Sequence, residues 1–263
     1  MAASTQTQRL RLILLPGMNG TGELFSEFAA ALSQEFEITM ARYPTARSHS
    51  YAELESFVWG TCPISEPFVL LAESYSTPLA IKYAASKPAN LQGLILCAGF
   101  ATSPVRGWRR FLASFFAPVM FYAPMPDLAA RRWLVGVDAP SSLLAAVRAA
   151  IASVEPKVLA ERLRAVLTCD VREAVGKIGV PMLYIRAAQD RLVGASCADE
   201  LERINPRMAI ATLEGPHLLL ERQAQKAADT VLDFVRSSCS SQASLPDKPP
   251  RSVPAAEGDT PTE

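Results

Sequence analysis

Residues 68–80 read Phe68-Val-Leu-Leu-Ala-Glu-Ser-Tyr-Ser-Thr-Pro-Leu-Ala80. The apolar run at 68–72 predicts a buried strand, and a helix follows almost at once. A turn this sharp lifts the Ser74 side chain into the open and strains its backbone. The residues two before and two after must then be small, because a large side chain there collides with the strand and the helix. They are Ala72 and Ser76, so the motif is A-E-S-Y-S where G-x-S-x-G is common. Pro78 falls in the first helical turn, where its missing N–H costs little. Taken alone, Ser74 also reads as an ordinary helix N-cap.

Outward from this stretch, apolar runs recur at 10–15, 36–41, 91–97, 181–185 and 208–213. They are nearly continuous rather than alternating, which predicts strands covered on both faces of a parallel sheet. Helical patterns at 23–32, 51–59, 78–86, 195–204 and 221–236 separate them. Strand–helix alternation points to an α/β sheet wound on both faces. The alternation stops between 101 and 179, where 106–122, 127–135, 141–153 and 156–167 read as helices. These 79 residues are expected to cap the carboxyl edge of the sheet, where open α/β folds bind ligands. Charge sets the insert apart: it carries 11 basic and 6 acidic residues, in a chain with 26 of each.

A serine hydroxyl needs a base and an orienting acid before it can attack a carbonyl. The chain has two histidines. His217 follows the last predicted strand on a Gly-Pro turn, at the same sheet edge as Ser74. His49 lies in a polar loop and reads as a surface residue. Asp190 follows the fifth strand at that edge; an aspartate after a strand is also a common turn residue. No carboxylate occupies the loop after 91–97, so Asp190 is the better acid. Two backbone amides must face a developing oxyanion, one from Tyr75 and one from the loop after the first strand. That loop holds Gly17, Gly20 and Gly22, and Met18 is its expected donor. Neither G-x-G-x-x-G nor G-x-x-x-x-G-K-[ST] is present, which disfavours a phosphate loop.

The 263 residues are 49% hydrophobic and 20% charged, with zero formal charge. Such a composition fits a soluble globular protein and disfavours a nucleic-acid binder. Five cysteines are scattered without any C-x-x-C, so neither a disulfide framework nor a zinc site is expected, and the compartment reads as cytoplasmic. The uncharged run 111–126 is 16 residues with three prolines, short of the roughly 20 that span a bilayer. Residues 1–8 read as a flexible N-terminus. Residues 237–263, with six Ser, five Pro and no aromatic residue, read as a disordered tail.

The oxyanion loop followed by Ser74, Asp190 and His217 in that order resembles the α/β-hydrolase superfamily across about residues 9–236. The resemblance implies a core from 9–100 and 180–236, with a mostly parallel sheet of about six strands and helices on both faces. It places the helical cap, 101–179, between the family's sixth and seventh strands. Within the superfamily, Leu15-Pro-Gly-Met-Asn-Gly-Thr-Gly and Glu73-Ser-Tyr-Ser-Thr-Pro look like small bacterial esterase-like hydrolases. The cap is similar in size to that of the pimeloyl-acyl-carrier-protein methyl ester esterases.

The expected chemistry is two-step acyl transfer on a small-molecule acyl ester, with Ser74 as nucleophile, His217 as base and Asp190 as its partner. It needs no metal or organic cofactor. Serine at position 74 excludes sister chemistries that need a carboxylate nucleophile. Thioesterase, carrier-linked methyl esterase, acyltransferase and a non-catalytic binding protein remain open. Phe111, Phe115, Met120 and Phe121 are candidates for an acyl pocket, against the alternative of ordinary cap packing, and the prolines around them predict a broken helix. Arg106, Arg109, Arg110, Arg131 and Arg132 would suit an acidic acyl carrier protein, or simply form a solvated face.

Overall fold

The computed structural model describes residues 9–239 except Pro124. In chain order it forms β1 (Leu10–Leu15), α1 (Ser26–Leu32), β2 (Phe36–Met40), α2 (Tyr51–Thr61), β3 (Phe68–Glu73), α3 (Thr77–Ala85) and β4 (Leu91–Cys97). Then come α4 (Trp108–Met120), α5 (Asp127–Ala130), α6 (Ser141–Ala152), α7 (Pro156–Thr168) and α8 (Arg172–Val175). The chain returns through β5 (Met182–Ala187), α9 (Ala195–Ile204), β6 (Ala209–Leu213), α10 (Leu219–Arg222) and α11 (Ala224–Phe234). The six strands form one sheet in the order β2-β1-β3-β4-β5-β6. All five pairings are parallel.

Side-chain alternation divides the core into two layers. Ile13, Leu15, Leu70, Ala72, Leu94 and Leu96 pack with α2, α3 and α9 on one face. Leu12, Leu14, Val69, Leu71, Ile95 and Cys97 pack with α1, α10 and α11 on the other. Burial on both faces explains why the central strands read as unbroken apolar runs. Each fully buried Leu, Ile or Val contributes about 1.5–3 kcal/mol from the area it removes from water. Helix α2 starts at a reciprocal cap: the Glu53 carboxylate accepts from the Ser50 amide at 2.7 Å, and Ser50 Oγ accepts from the Glu53 amide at 3.3 Å.

Three expectations change. The helix expected to break in 106–122 instead runs continuously as α4, through Pro118. Ser114, four residues earlier, is exposed, so water can take up the carbonyl that the proline leaves without a donor. The short helix α8 is too brief to show periodicity and is absent from the sequence reading. The tail boundary moves from 237 to beyond Cys239: helix continues as a wider turn over Val235–Cys239, and Cys239 is buried against Gly93. A methyl group at Gly93 would lie 2.8 Å from the Cys239 sulfur. The N-terminal segment 1–8 and the rest of the expected tail, 240–263, lie outside the described residues. Among the described residues no helix is long and apolar enough to cross a membrane.

Candidate active site

Strand β3 ends at Glu73 and the chain turns through Ser74–Ser76 into α3. Ser74 has φ of +47°, a left-handed conformation that costs a non-glycine residue about 1–3 kcal/mol. Its carbonyl is held twice, by the Thr77 amide and by the Thr77 hydroxyl at 2.8 Å. The Thr77 hydroxyl oxygen also accepts from the Phe100 amide at 3.1 Å, tying the turn to the end of β4. Gly99 makes room for this: a methyl group there would lie 2.5 Å from Thr77 Cγ2. The strain at Ser74 is therefore held in place by its neighbours.

Ser76 does more than stay small. Its hydroxyl donates to the Pro16 carbonyl and accepts from the Tyr43 hydroxyl at 2.8 Å. The turn after β3 and the loop after β1 are thereby pinned together. The Tyr75 carbonyl accepts from the Tyr51 hydroxyl at 2.9 Å, and the two rings stack at 5.0 Å.

His217 stands just past β6 and Asp190 just past β5. Their loops are joined by the Ala188 amide on the Leu213 carbonyl and the Gln189 amide on the Gly215 carbonyl, each at 2.9 Å. Asp190 Oδ1 accepts from the Leu192 and Val193 amides at 2.8 and 2.9 Å. That leaves Oδ2 for His217 Nδ1, at 2.8 Å. His217 Nε2 lies 2.9 Å from Ser74 Oγ. A proton on Nδ1, donated to Asp190, leaves Nε2 free to accept from the serine hydroxyl. The structure thus brings Ser74, His217 and Asp190 into one hydrogen-bonded row. His49 stands apart, with Nδ1 2.9 Å from the Arg47 carbonyl and its ring edge-on to Phe57.

The loop after β1 turns at Gly17–Gly20, closed by the Gly20 amide on the Gly17 carbonyl at 3.0 Å. From the insert, Arg162 of α7 reaches this loop. One guanidinium nitrogen donates to the Met18 and Asn19 carbonyls at 2.7 and 2.8 Å, and the other to the Pro44 carbonyl at 2.8 Å. Gly20, at φ of +73°, leaves space for the guanidinium: a methyl group there would lie 2.7 Å from Arg162 Nη1. With its carbonyl so held, the Met18 amide meets no protein acceptor among the described residues. The Tyr75 amide lies in the first turn of a helical segment, where backbone donors lack helical partners.

Beneath the row lie two buried carboxyls, Glu73 and Glu221. Burial raises the Glu73 carboxyl well above the usual range, with neighbouring Glu221 adding to it. Burial also pushes Glu221 up to about 7. Glu73 sits directly against the β1 loop: a methyl group on Gly17 would lie 3.1 Å from its Oε2.

The four residues expected to line an acyl pocket separate. Phe121 packs with Met18 against Val154, Val158 and Leu159, beside the β1 loop. Phe111, Phe115 and Met120 instead project into solvent, because the face of α4 turned inward carries Ala117. Arg131 donates to the Val137 and Ala139 carbonyls, while Arg106, Arg109, Arg110 and Arg132 are exposed. Among the described residues no group of three or more His, Cys, Asp or Glu is placed to hold a metal ion. The sequence reading missed Arg162, Tyr43, Thr77 and Glu221, as well as the hydroxyl role of Ser76.

Solved structures with this fold include the enol-lactonase from Burkholderia xenovorans LB400, at TM-score 0.75 and 19% identity over 89% of this chain and 94% of that one. MenH from S. aureus matches at TM-score 0.71 and 14% identity, over 90% of this chain and 97% of its own. A bromoperoxidase from Bacillus anthracis matches at TM-score 0.76 and 14% identity, over 87% and 92%. No curated protein is a match in sequence. The family model described as serine aminopeptidase, S33, matches residues 53–214, from the start of α2 to just past β6. The chain belongs to this family of α/β-hydrolases and is a hydrolase.

Proposed function

We propose that the protein is a serine carboxylic-ester hydrolase working through Ser74, His217 and Asp190. The observation that carries this is the row itself: Oγ to Nε2 at 2.9 Å and Nδ1 to Oδ2 at 2.8 Å, with Ser74 presented at positive φ. Ser74 Oγ attacks the ester carbonyl carbon as His217 Nε2 takes its proton. Asp190 holds the imidazole tautomer and stabilises the imidazolium. The Met18 and Tyr75 amides donate to the oxyanion of the tetrahedral intermediate. His217 then protonates the leaving alcohol, and an acyl-enzyme on Ser74 remains. Water, deprotonated by His217, attacks it and releases the acid.

The helices of 101–179 act as a cap in this reading, and Arg162 links that cap to the oxyanion loop. Ester rather than peptide substrates fit the charges around the row. An aminopeptidase must meet the substrate's terminal ammonium with a free carboxylate. Asp190 is engaged by His217, and Glu73 and Glu221 are buried with raised proton affinity. The enol-lactonase that shares the fold points the same way. Five free cysteines support a reducing, cytoplasmic setting.

The test is hydrolysis of p-nitrophenyl esters from acetate to palmitate, with aminoacyl p-nitroanilides run alongside. The parent is expected to cleave esters, and Ser74→Ala to lose about 10⁴–10⁶ in kcat. Equal rates for parent and variant would remove the serine mechanism. Preference for the anilides would make the enzyme a peptidase.

A further inference from the structure

Helix α4 is amphipathic in the wrong direction for a helix that only packs on its own protein. Its inward face carries Ala113 and Ala117, which are partly and fully buried. Its outward face carries Trp108, Phe111, Phe115 and Val119, at i, i+3, i+7 and i+11, exposed by 72, 78, 70 and 62%. Leu112, Phe116 and Met120 flank this ridge and are also exposed, and Tyr122 continues it past the helix end. Seven large apolar side chains exposed along one helix mark a place where something binds.

The charges say what kind of surface. Every carboxylate of the 101–179 insert is already in an ion pair: Asp127 with Arg148, Asp138 with Arg222, Glu155 with Lys157, Glu161 with Arg164, Asp170 with Arg172, and Glu173 with Lys177. Arg106, Arg109, Arg110 and Arg132 pair with no carboxylate among the described residues and are exposed. We infer that α4 is a docking face for an anionic lipid surface, on which it lies with its aromatic ridge inserted and its arginines at the headgroups. Helix α4 has 13 residues, about 20 Å long, too short to span a bilayer but suited to lying in the interface. An acidic carrier protein would engage the arginines but leaves the aromatic ridge without a role.

The face lies close to the active site. Helix α4 packs on α7, whose Arg162 holds the Met18 loop, and Phe121 at its end packs in the same cluster as Met18. Docking would therefore bring the site to the lipid surface. The inference does not rest on the esterase reading, since binding is measured without catalysis.

The test is co-sedimentation of the full chain with vesicles of phosphatidylcholine, alone or mixed with phosphatidylglycerol. The parent and Ser74→Ala are expected to sediment alike with the anionic vesicles, and to be released by high salt. Trp108→Ser/Val119→Ser and Arg109→Gln/Arg110→Gln should each lower the partition coefficient by about tenfold or more, with unchanged circular dichroism. The inference is overturned by failure to sediment with any vesicle. It is equally overturned if binding to neutral lipid matches that to anionic lipid and the arginine variant does not change it. Dimerisation, or salt-sensitive capture of acyl carrier protein, that the Trp108 variant abolishes while no vesicle binds would overturn it in favour of a protein interface.

Discussion

A guanidinium without a carboxylate beside it normally stays in water, yet Arg162 is buried and spends its donors on three backbone carbonyls. Burial lowers its proton affinity, and the Tyr43 and Tyr75 rings, with centroids 5.8 and 5.9 Å from the guanidinium carbon, supply the remaining favourable contact. The consequence is local: a fixed Met18 carbonyl fixes the peptide that follows and restricts Met18, whose amide is the proposed oxyanion donor. Arg162→Met should lower kcat by up to about 10²-fold, the scale of losing one oxyanion donor, while KM for a small ester changes little. Arg162→Lys should recover only part, because one ammonium cannot span all three carbonyl groups. Parent-like kcat in both variants would show that the loop holds itself. Ser74, Asp190 and His217 were legible in the sequence because each follows a strand at the same sheet edge. Arg162 was not, since its partners lie more than 100 residues away and nothing local distinguishes it from a surface arginine of an amphipathic helix.

Where β4 ends, the chain must pass the turn that carries Ser74, and the two elements touch through Gly99 and Thr77. Gly99→Ala places a methyl group 2.5 Å from Thr77 Cγ2, so either the β4 end or the serine turn must shift. The expected cost is about 1–3 kcal/mol in urea unfolding, with a loss of kcat as the Ser74 carbonyl loses its anchor. Thr77→Ser removes the clashing methyl and keeps the hydroxyl, so the double variant should recover part of both losses. Additive damage in the double variant would place the strain elsewhere. The strands themselves were legible because burial on both faces writes them as apolar runs, and their ends moved by only a residue or two. Helix α4 was harder to read. Its three neighbouring prolines suggested a break, and its large apolar residues suggested an inward face. The structure resolves both by turning alanine inward and leaving the aromatic side chains outside.

Over the whole molecule, stability should depend on pH through the Glu73–Glu221 pair rather than through surface ion pairs, which are exposed and individually weak. Both carboxyls are buried, and both hold their protons more tightly in the folded chain than in the unfolded one. Glu221 titrates at about 7 when folded, against 4.5 as its ordinary value. Below pH 4.5 both folded and unfolded chains keep the proton, and the pair takes nothing from stability. As pH rises from 4.5 through 7, the unfolded chain releases its proton first, so the folded state loses stability over this window and levels off above it for this group. The scattered reach of this effect makes it a property of the fold: Glu73 ends β3, Glu221 lies on α10, and burial, with these two carboxyls adding to it, raises the Cys97 thiol at the end of β4. Glu221→Gln keeps the side chain's size and removes its ionisation. Its melting temperature should fall less steeply than the parent's between pH 5 and pH 8, so the variant-minus-parent difference rises with pH, whatever constant offset the substitution introduces. Curves that stay parallel over that range would mean that Glu221 already ionises near its ordinary value and that the buried pair is held charged by something other than the neighbours described.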